Sequence, residues 1–478
     1  MSENPLEQKP LNVLVLAAGL GTRMRSGLAK VLHKLDGRPL ISHVCRTAAA
    51  LAPENIYVVI GHQGDEVKTA VLSELDGQSV VFVTQEQQLG TGDAVNAARS
   101  FLGESESTLV VLSGDVPMIR HQTLADLIQH HHRHLERGAT CTIMTVRLSD
   151  PTGYGRVVRD DQSLFRRIVE QKDANEDERQ INEINAGIYC FDTKKLFSAL
   201  KAVKNNNAQG EYYLTDVPAL LTDAGEDVAI FQHSDPQEIE GVNNRVQLAD
   251  LERLICRRTI SRLMLDSGVS FIDPKNAYIS SDAVIGPDTV IHPNVTIEGT
   301  TKIGSRCEIR SGSRLVNAMI GDDVEIRDNC LITDSEIGDN AVVGPMAHLR
   351  GHAVIGENGR IGNFVEVKKS KLGRGTKASH LTYLGDATIG EDTNIGAGTI
   401  TCNYDGVRKH ETHIGSRVKI GSDTMLVAPV KVGDDAATAA GSVVIEDVPE
   451  NVLVAGVPAK AKKSLESARP ANTSLKKS

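Results

Sequence analysis

The 478-residue chain has no tryptophan, and its aromatic content is only 3%. Its core must therefore be aliphatic, drawn from Ile, Val and Leu. No apolar run approaches the length of a membrane span, so no membrane partner is expected. The N-terminal MSENPLEQKPLN lacks the basic and hydrophobic stretches of a secretory signal. Cysteine is scattered over Cys45, Cys141, Cys190, Cys256, Cys307, Cys330 and Cys402, never as CxxC. That pattern excludes a zinc or disulfide framework and reads as reduced thiols of a cytoplasmic protein. Positive charge is not in excess either. The net charge of −10 argues against a nucleic-acid partner and leaves anionic small molecules to local arginines, lysines, backbone amides or a metal. The length exceeds one ordinary core, so at least two domains are expected.

What the chain does have is a branched aliphatic residue every six positions. The series starts at Ile279, Ile285, Ile291, Ile297, Ile303, Ile309 and Leu315. It resumes after slips at Ile326 and runs, with interruptions, to Val444. Such a period fits neither helix nor alternating strand, but a solenoid in which each hexad is one short strand plus a turn. Three hexads close a triangular coil, giving about nine coils. Glycines directly after the aliphatic residue (Gly286, Gly304, Gly344, Gly362, Gly396, Gly421) suit turn positions with φ > 0. Such prisms resemble those of acyl-CoA-dependent acyltransferases, and the resemblance implies a left-handed parallel β-helix. Spacing alone does not exclude a plain spacer or trimerisation rod.

The first 240 residues alternate β-rich runs (Val13–Leu16, Ile56–Ile60, Val80–Val83, Leu109–Leu112, Thr140–Val146, Ile188–Phe191) with amphipathic segments such as Leu40–Leu51, Asp65–Leu75 and Asp93–Phe101. This predicts a Rossmann-like α/β domain with a mostly parallel sheet, whose ligands lie beyond the carboxyl ends of the strands. The expected organisation is an α/β domain over 1–240, a linker helix over 241–266, the prism over 267–457 and a mobile Lys-rich tail over 458–478. The run His130, His131, His132 and His134 reads as a solvated helix face rather than a metal site.

Strand Val13–Leu16 runs into LAAGLGTRM (16–24). Its glycine turn and a following helix N-terminus suit a phosphate. It fails as a dinucleotide fingerprint, because Met24 stands at the third glycine position. Arg23 and Lys30 add two cations that suit a triphosphate with a departing pyrophosphate, though a surface charge pair would look the same. Asp115 follows the strand Leu109–Leu112 through a glycine, at a strand's carboxyl end.

LAAGLGTRM…K resembles the signature of sugar-phosphate nucleotidyltransferases. QEQQLGTGDA (85–94), SGDVP (113–117), DPTGYGR (150–156), IVEQKD (168–173), NNNAQGEYYLTD (205–216) and EGVNNR (240–245) narrow the likeness. Together with the prism they resemble the bacterial family that fuses N-acetylglucosamine-1-phosphate uridyltransferase to glucosamine-1-phosphate N-acetyltransferase, over about Val13–Val457. The resemblance implies a homotrimeric enzyme that acetylates glucosamine 1-phosphate with acetyl-CoA. It then transfers uridylyl from UTP to N-acetylglucosamine 1-phosphate with Mg2+, supplying peptidoglycan and lipopolysaccharide precursors. Carried over, Leu16, Ala17, Ala18 and Gly19 hold uracil and ribose, and Lys30 the phosphates. Gln85, Gly90 and Thr91 recognise uracil; Gly155, Glu170 and Asn185 bind the sugar; Asp115 and Asn243 hold magnesium, with Asn243 also at the nucleotide. Arg23 and Lys30 neutralise charge during transfer. In the prism His380 is the general base, and Arg350, Lys368, Tyr383 and Asn394 bind the sugar phosphate. Ala397, Asn403, Tyr404, Ser422 and Ala440 line the acetyl-CoA site, and Glu366 is a candidate to orient His380 or its substrate. The break in the hexads over 402–413 is expected to protrude as a loop that reaches a neighbouring subunit.

Three departures stand out: Ala29 and Gly351 replace family prolines, and the arginine before the final VP pair is missing, leaving Lys460, Lys462 or Lys463 as substitutes. The competing readings are a single-activity sugar-1-phosphate nucleotidyltransferase with a non-catalytic prism, and a non-catalytic regulatory subunit. The set His380, Tyr383 and Asn394 argues against the first; Arg23, Lys30, Asp115 and Asn243 together argue against the second.

Overall fold

A computed structural model describes residues 9–19, 21–75, 77–135 and 139–464. The chain separates into two compact units, Met1–Leu251 and Glu252–Ser478, and the helix Arg245–Asp266 spans the division.

The first unit is a nine-stranded sheet with helices on its faces. Its strands are β1 (Leu11–Leu16), β2 (Asn55–Ile60), β3 (Val80–Thr84), β4 (Thr108–Ser113), β5 (Ala139–Arg147), β6 (Arg156–Arg159), β7 (Phe165–Val169), β8 (Glu183–Asp192) and β9 (Asp227–Gln232). The main order is β9-β5-β8-β4-β1-β2-β3, and β6 and β7 form a hairpin on β8. In that order only β8 runs antiparallel to its neighbours. The central strands are apolar on both sides, as a sheet covered on two faces requires: Val13, Leu14 and Val15 are all buried. Among the predicted helices, 93–101 splits into Thr91–Asn96 and Arg99–Leu102.

Two expectations for this unit are corrected. No helix follows the glycine turn; Thr22–Met24 is a single 3₁₀ turn, and the next α-helix starts at Leu40. The histidine run is not a solvated face throughout. His131 is fully buried with Nδ1 3.0 Å from Thr142 Oγ1, and His132 Nε2 lies 3.2 Å from Thr108 Oγ1. The helix His121–Leu135 packs on the sheet, where strand hydroxyls meet His131 Nδ1 and His132 Nε2. Burial and the neighbouring His132 push His131 down to about 4.

The second unit is a left-handed parallel β-helix of three sheets with 12, 10 and 9 strands. Each hexad contributes one strand, which pairs in parallel with the hexad one coil on. Ile279 thus stacks on Ile297 and Leu315, and Ile285 on Ile303 and Ile320. These side chains form one continuous aliphatic core, each adding roughly 1.5–3 kcal/mol.

The glycines after the core residue do a different job from the one predicted. Of the six named, only Gly344 has positive φ. The left-handed position comes later in the turn and is taken most often by Asp or Asn, as at Asp288, Asn294, Asp323 and Asn340. The glycines instead permit coil contact: a Cβ on Gly286 would lie 2.8 Å from the backbone of Gly304, and one on Gly421 2.6 Å from that of Ala440. The tail prediction is also corrected in part. Lys460–Ser464 forms an antiparallel strand on Val452–Ala455, because the open edge of the last coil offers unpaired backbone groups. The rest of the expected tail, 465–478, lies outside the described residues.

Candidate active sites

In the first unit, Leu16 and Ser113 end the adjacent parallel strands β1 and β4 side by side. Gly114 donates its N–H to Leu16 O (2.9 Å); a Cβ there would lie 3.0 Å from that oxygen and 2.9 Å from Ile41. Glycine therefore lets the chain turn tightly and present Asp115 at the sheet's carboxyl edge. Val242 donates to Asp115 O (2.9 Å), which brings Asn243 alongside. Gly21 has left-handed φ, and its missing side chain leaves the space that the stem of Lys30 fills. Four polar groups converge here. Lys30 Nζ donates to Asp115 Oδ2 and, at 3.3 Å, to Asn243 Oδ1, while Arg23 Nη2 donates to the same Asn243 Oδ1 at 2.8 Å.

The convergence borders a cleft of about 350 Å³ lined by Leu16, Ala17, Ala18, Gly19, Lys30, Gln85, Gly90, Thr91 and Asp115. Gln85 Nε2 donates to Asp93 Oδ2 (2.7 Å), and Thr91 Oγ1 accepts from Leu214 N (3.0 Å). A Cβ on Gly90 would lie 2.6 Å from Tyr212 O, so only glycine allows the 205–216 segment to pack there. Gln88, which donates to Ala18 O (2.5 Å), and Glu211 also line the cleft and were missed from sequence; both lie inside quoted motifs but carry no spacing signal. Gly155, Glu170 and Asn185 form a second cluster. Asn185 N donates to Gly155 O (2.9 Å), and a Cβ on Gly155 would sit 3.4 Å from Glu170 Oε1. Burial raises the Glu170 carboxyl above its ordinary value, against an opposing hydrogen bond from Thr215 (3.2 Å). Ala29, in place of a family proline, uses its N–H to donate to Gln63 Oε1 (2.5 Å).

An oxygen pair of carboxylate and amide suits a hard cation such as Mg2+, which takes few protein ligands and fills its shell with phosphate and water. Asp115 Oδ2 and Asn243 Oδ1 are such a pair, brought within reach of one ammonium. Among the described residues no cluster of three or more His, Cys, Asp or Glu offers an alternative.

In the prism the ladder register places the predicted residues. Arg350 and Lys368 are partners on the ten-stranded sheet, and Glu366 pairs with Tyr383. Arg350 Nε donates to Glu366 Oε1 at 2.8 Å. Asn403 Nδ2 donates to Asp386 Oδ2 (2.6 Å) and reaches Tyr383 Oη (3.4 Å). His380 is exposed at the end of its strand, and its Nδ1 lies 2.8 Å from Oδ1 of Asn363, its ladder partner. Glu366 accepts from Arg350, and the side chain in hydrogen-bond contact with His380 is that of Asn363.

His380 occupies the second place after the core residue Ala378, and Ala397, Ser422 and Ala440 occupy the same place after Ile395, Ile420 and Thr438. Backbone bonds tie these coils: Asp423 N donates to Ala397 O (2.7 Å) and Gly441 N to Ser422 O (2.8 Å). One edge of the prism thus runs from His380 along a column of small side chains. Asn394 lies apart, on the outer face of the twelve-stranded sheet between Lys377 and Lys419. The break in the hexads is a compact loop organised by Asp405, which accepts from Val407 N, Arg408 N and His410; those bonds hold its carboxyl well below the usual range. Tyr404 is exposed on this loop and donates to Gly406 O (2.7 Å); Lys409 lies close enough to Lys368 for the pair to lower the Lys409 pKa.

Known proteins give the two units their context. A family model for nucleotidyl transferases matches residues 12–236, and one for the GMPPB C-terminal domain matches 267–372. "Bifunctional protein GlmU" of Syntrophomonas wolfei is 47% identical over 93% of this chain and 96% of its own length. The proteins of that name from Pelobacter propionicus and Exiguobacterium sibiricum are each 48% identical over 92% of this chain and cover 94% and 96% of themselves. With an α/β nucleotidyl-transferase unit and a hexapeptide prism on one chain, and likeness of this extent along both, the chain belongs to the GlmU family of bifunctional enzymes that combine uridyltransferase and acetyltransferase activities.

Proposed function

We propose that the α/β unit transfers uridylyl from UTP to N-acetylglucosamine 1-phosphate, and that the prism acetylates glucosamine 1-phosphate with acetyl-CoA to supply that substrate. The observation that carries the first half is the convergence of Arg23, Lys30, Asp115 and Asn243 beside the cleft lined by residues 16–19, 85, 90 and 91. The nucleophile is a phosphate oxygen, already anionic, which attacks the α-phosphorus of UTP as pyrophosphate leaves. Positioning and charge neutralisation therefore dominate. Arg23 and Lys30 meet the phosphates, Leu16–Gly19, Gln85, Gly90 and Thr91 hold the nucleoside, and Gly155, Glu170 and Asn185 hold the sugar. Asp115 and Asn243 would hold Mg2+, which supplies Lewis-acid stabilisation of the phosphates when bound.

In the prism, Asn363 accepts from Nδ1 of His380, which leaves Nε2 to take a proton from the attacking amine. Arg350, Lys368 and Tyr383 hold the sugar phosphate. Asn403 and Tyr404 flank the acetyl-CoA, which follows the column Ala397, Ser422 and Ala440. Lys460, Lys462 and Lys463 meet its phosphates in place of the missing arginine, from the strand that closes the last coil.

A homotrimer completes this site. Asn394 lies on a different sheet from Arg350, Lys368 and Tyr383, so a second copy would have to bring the groups together. Met346, Phe364 and Leu381 stack as exposed apolar side chains at the corner beside His380, 47%, 54% and 62% exposed, and a partner would cover them. Among the described residues no helix is long and apolar enough to cross a membrane, and the free cysteines fit a cytoplasmic location. The deciding experiment incubates the pure protein with glucosamine 1-phosphate, acetyl-CoA, UTP and Mg2+ and identifies products by mass. UDP-N-acetylglucosamine and pyrophosphate are expected. Uridylylated glucosamine without acetyl would leave the prism non-catalytic, and no nucleotide sugar at all would make the chain a regulatory subunit.

A further inference from the structure

The two oxygens assigned to the metal are held by cations of the chain itself. Lys30 Nζ bonds both Asp115 Oδ2 and Asn243 Oδ1, and Arg23 Nη2 bonds the same Asn243 oxygen from the other side. The stem of Lys30 fills the space left by Gly21, and its backbone is fixed between the Ala29–Gln63 bond and the 3₁₀ turn Lys30–Leu32, so the ammonium is delivered there by the fold. A divalent cation cannot share these oxygens with the lysine. It would meet a like charge at contact range, on Asp115 Oδ2 and Asn243 Oδ1 that already accept from the ammonium. A displaced ammonium needs a new acceptor, and a triphosphate entering the neighbouring cleft brings several anionic ones.

We propose that Lys30 is a displaceable counter-ion. In the substrate-free protein it blocks the metal oxygens, and the incoming triphosphate draws it off Asp115 and Asn243, so that metal and nucleotide bind as a coupled pair. The proposal rests on the assignment of Asp115 and Asn243 to the metal. It makes the lysine do two jobs in sequence, neutralising the carboxylate before substrate arrives and the phosphates afterwards. Coupling of this kind is reciprocal: what the nucleotide does for the metal, the metal does for the nucleotide.

The test uses Mn2+ alone, with no nucleotide, titrated into the full-length protein while free Mn2+ is followed by electron paramagnetic resonance. Lys30→Met should bind Mn2+ at least about tenfold more tightly than the parent, the scale of one charge-assisted hydrogen bond removed from competition. Lys30→Gln should do the same, which guards against a single misfolded variant. Arg25→Met removes a cation of the same loop that is not bonded to either oxygen, and should change the affinity by less than about twofold. Asp115→Asn should lose the site. Unchanged or weaker binding in both Lys30 variants, with loss in Asp115→Asn, would overturn the counter-ion and leave the metal assignment standing. Equal tightening in Arg25→Met would reduce the effect to a general field and overturn it as well. Full Mn2+ binding by Asp115→Asn would overturn the metal assignment and the proposal together.

Discussion

The two units assemble their candidate sites by opposite means. In the prism, groups that meet lie about one coil apart in sequence: Asn363 with His380, Glu366 with Tyr383 and Arg350 with Lys368 are ladder partners. In the α/β unit, the groups that meet are 85, 213 and 220 residues apart. A solenoid converts sequence period directly into contact, so its site is local and rests on register. An open parallel sheet converts strand order into contact, so its site is a convergence of loops at one edge. The ladder-paired part of the prism site should therefore be sensitive to coil packing, and the α/β site to the loops that converge on it.

The largest expected effect that sharpens this contrast comes from His380→Ala. Acetylation should fall by about 10²–10⁴-fold, as for loss of a general base, while uridylyl transfer is untouched. Steady-state assays of both half-reactions measure it. The parent should show an ionisation on the acidic limb of kcat/KM that the variant lacks, and the same limb in both would assign the base elsewhere.

A second comparison uses pH, and it concerns the α/β unit alone. The folded pKa of His131 is lowered to about 4 from an ordinary 6.5, so its contribution to stability is present above 6.5 and is lost as pH falls towards 4. Proton uptake by the unfolded chain alone over that window costs up to about 3 kcal/mol. His131→Asn, which cannot protonate, should flatten the pH dependence of the denaturant midpoint for this unit. An unchanged slope would mean that the acid sensitivity lies in other groups.

The coil-contact role of glycine gives a third test. Gly421→Ala would press a Cβ to 2.6 Å from the backbone of Ala440 and should destabilise the prism by about 1–3 kcal/mol, read as a lower thermal midpoint. Gly19→Ala, with no atom within 4 Å of the added Cβ, should change stability little. The smallest expected effect is on coenzyme binding: truncation after Pro458 removes the strand Lys460–Ser464 and should raise KM for acetyl-CoA about two- to tenfold, with KM for glucosamine 1-phosphate little changed.

What was legible in the sequence follows the same division. The period of six identified the aliphatic core, since each core residue repeats a single environment. The strands of the α/β unit were legible as apolar runs, because a sheet covered on both faces buries consecutive residues. Contact between Lys30, Asp115 and Asn243 was not, because no local pattern carries the order of strands in a sheet; it came only through resemblance. The glycines were placed correctly and explained wrongly, because φ at a turn and clearance between coils leave the same residue in the sequence. Asn363 was missed although it stands one ladder step before His380, and the register would have found it once the coil length at that slip was known.

Asp115→Ala tests the central claim, two chemically independent sites on one chain, most directly. Both half-reactions are measured on the same folded, oligomerically intact preparation. Uridylyl transfer should be abolished and acetylation of glucosamine 1-phosphate should proceed at close to the parent rate. Loss of both activities in folded protein would contradict the account, as would uridylyl transfer that survives the substitution.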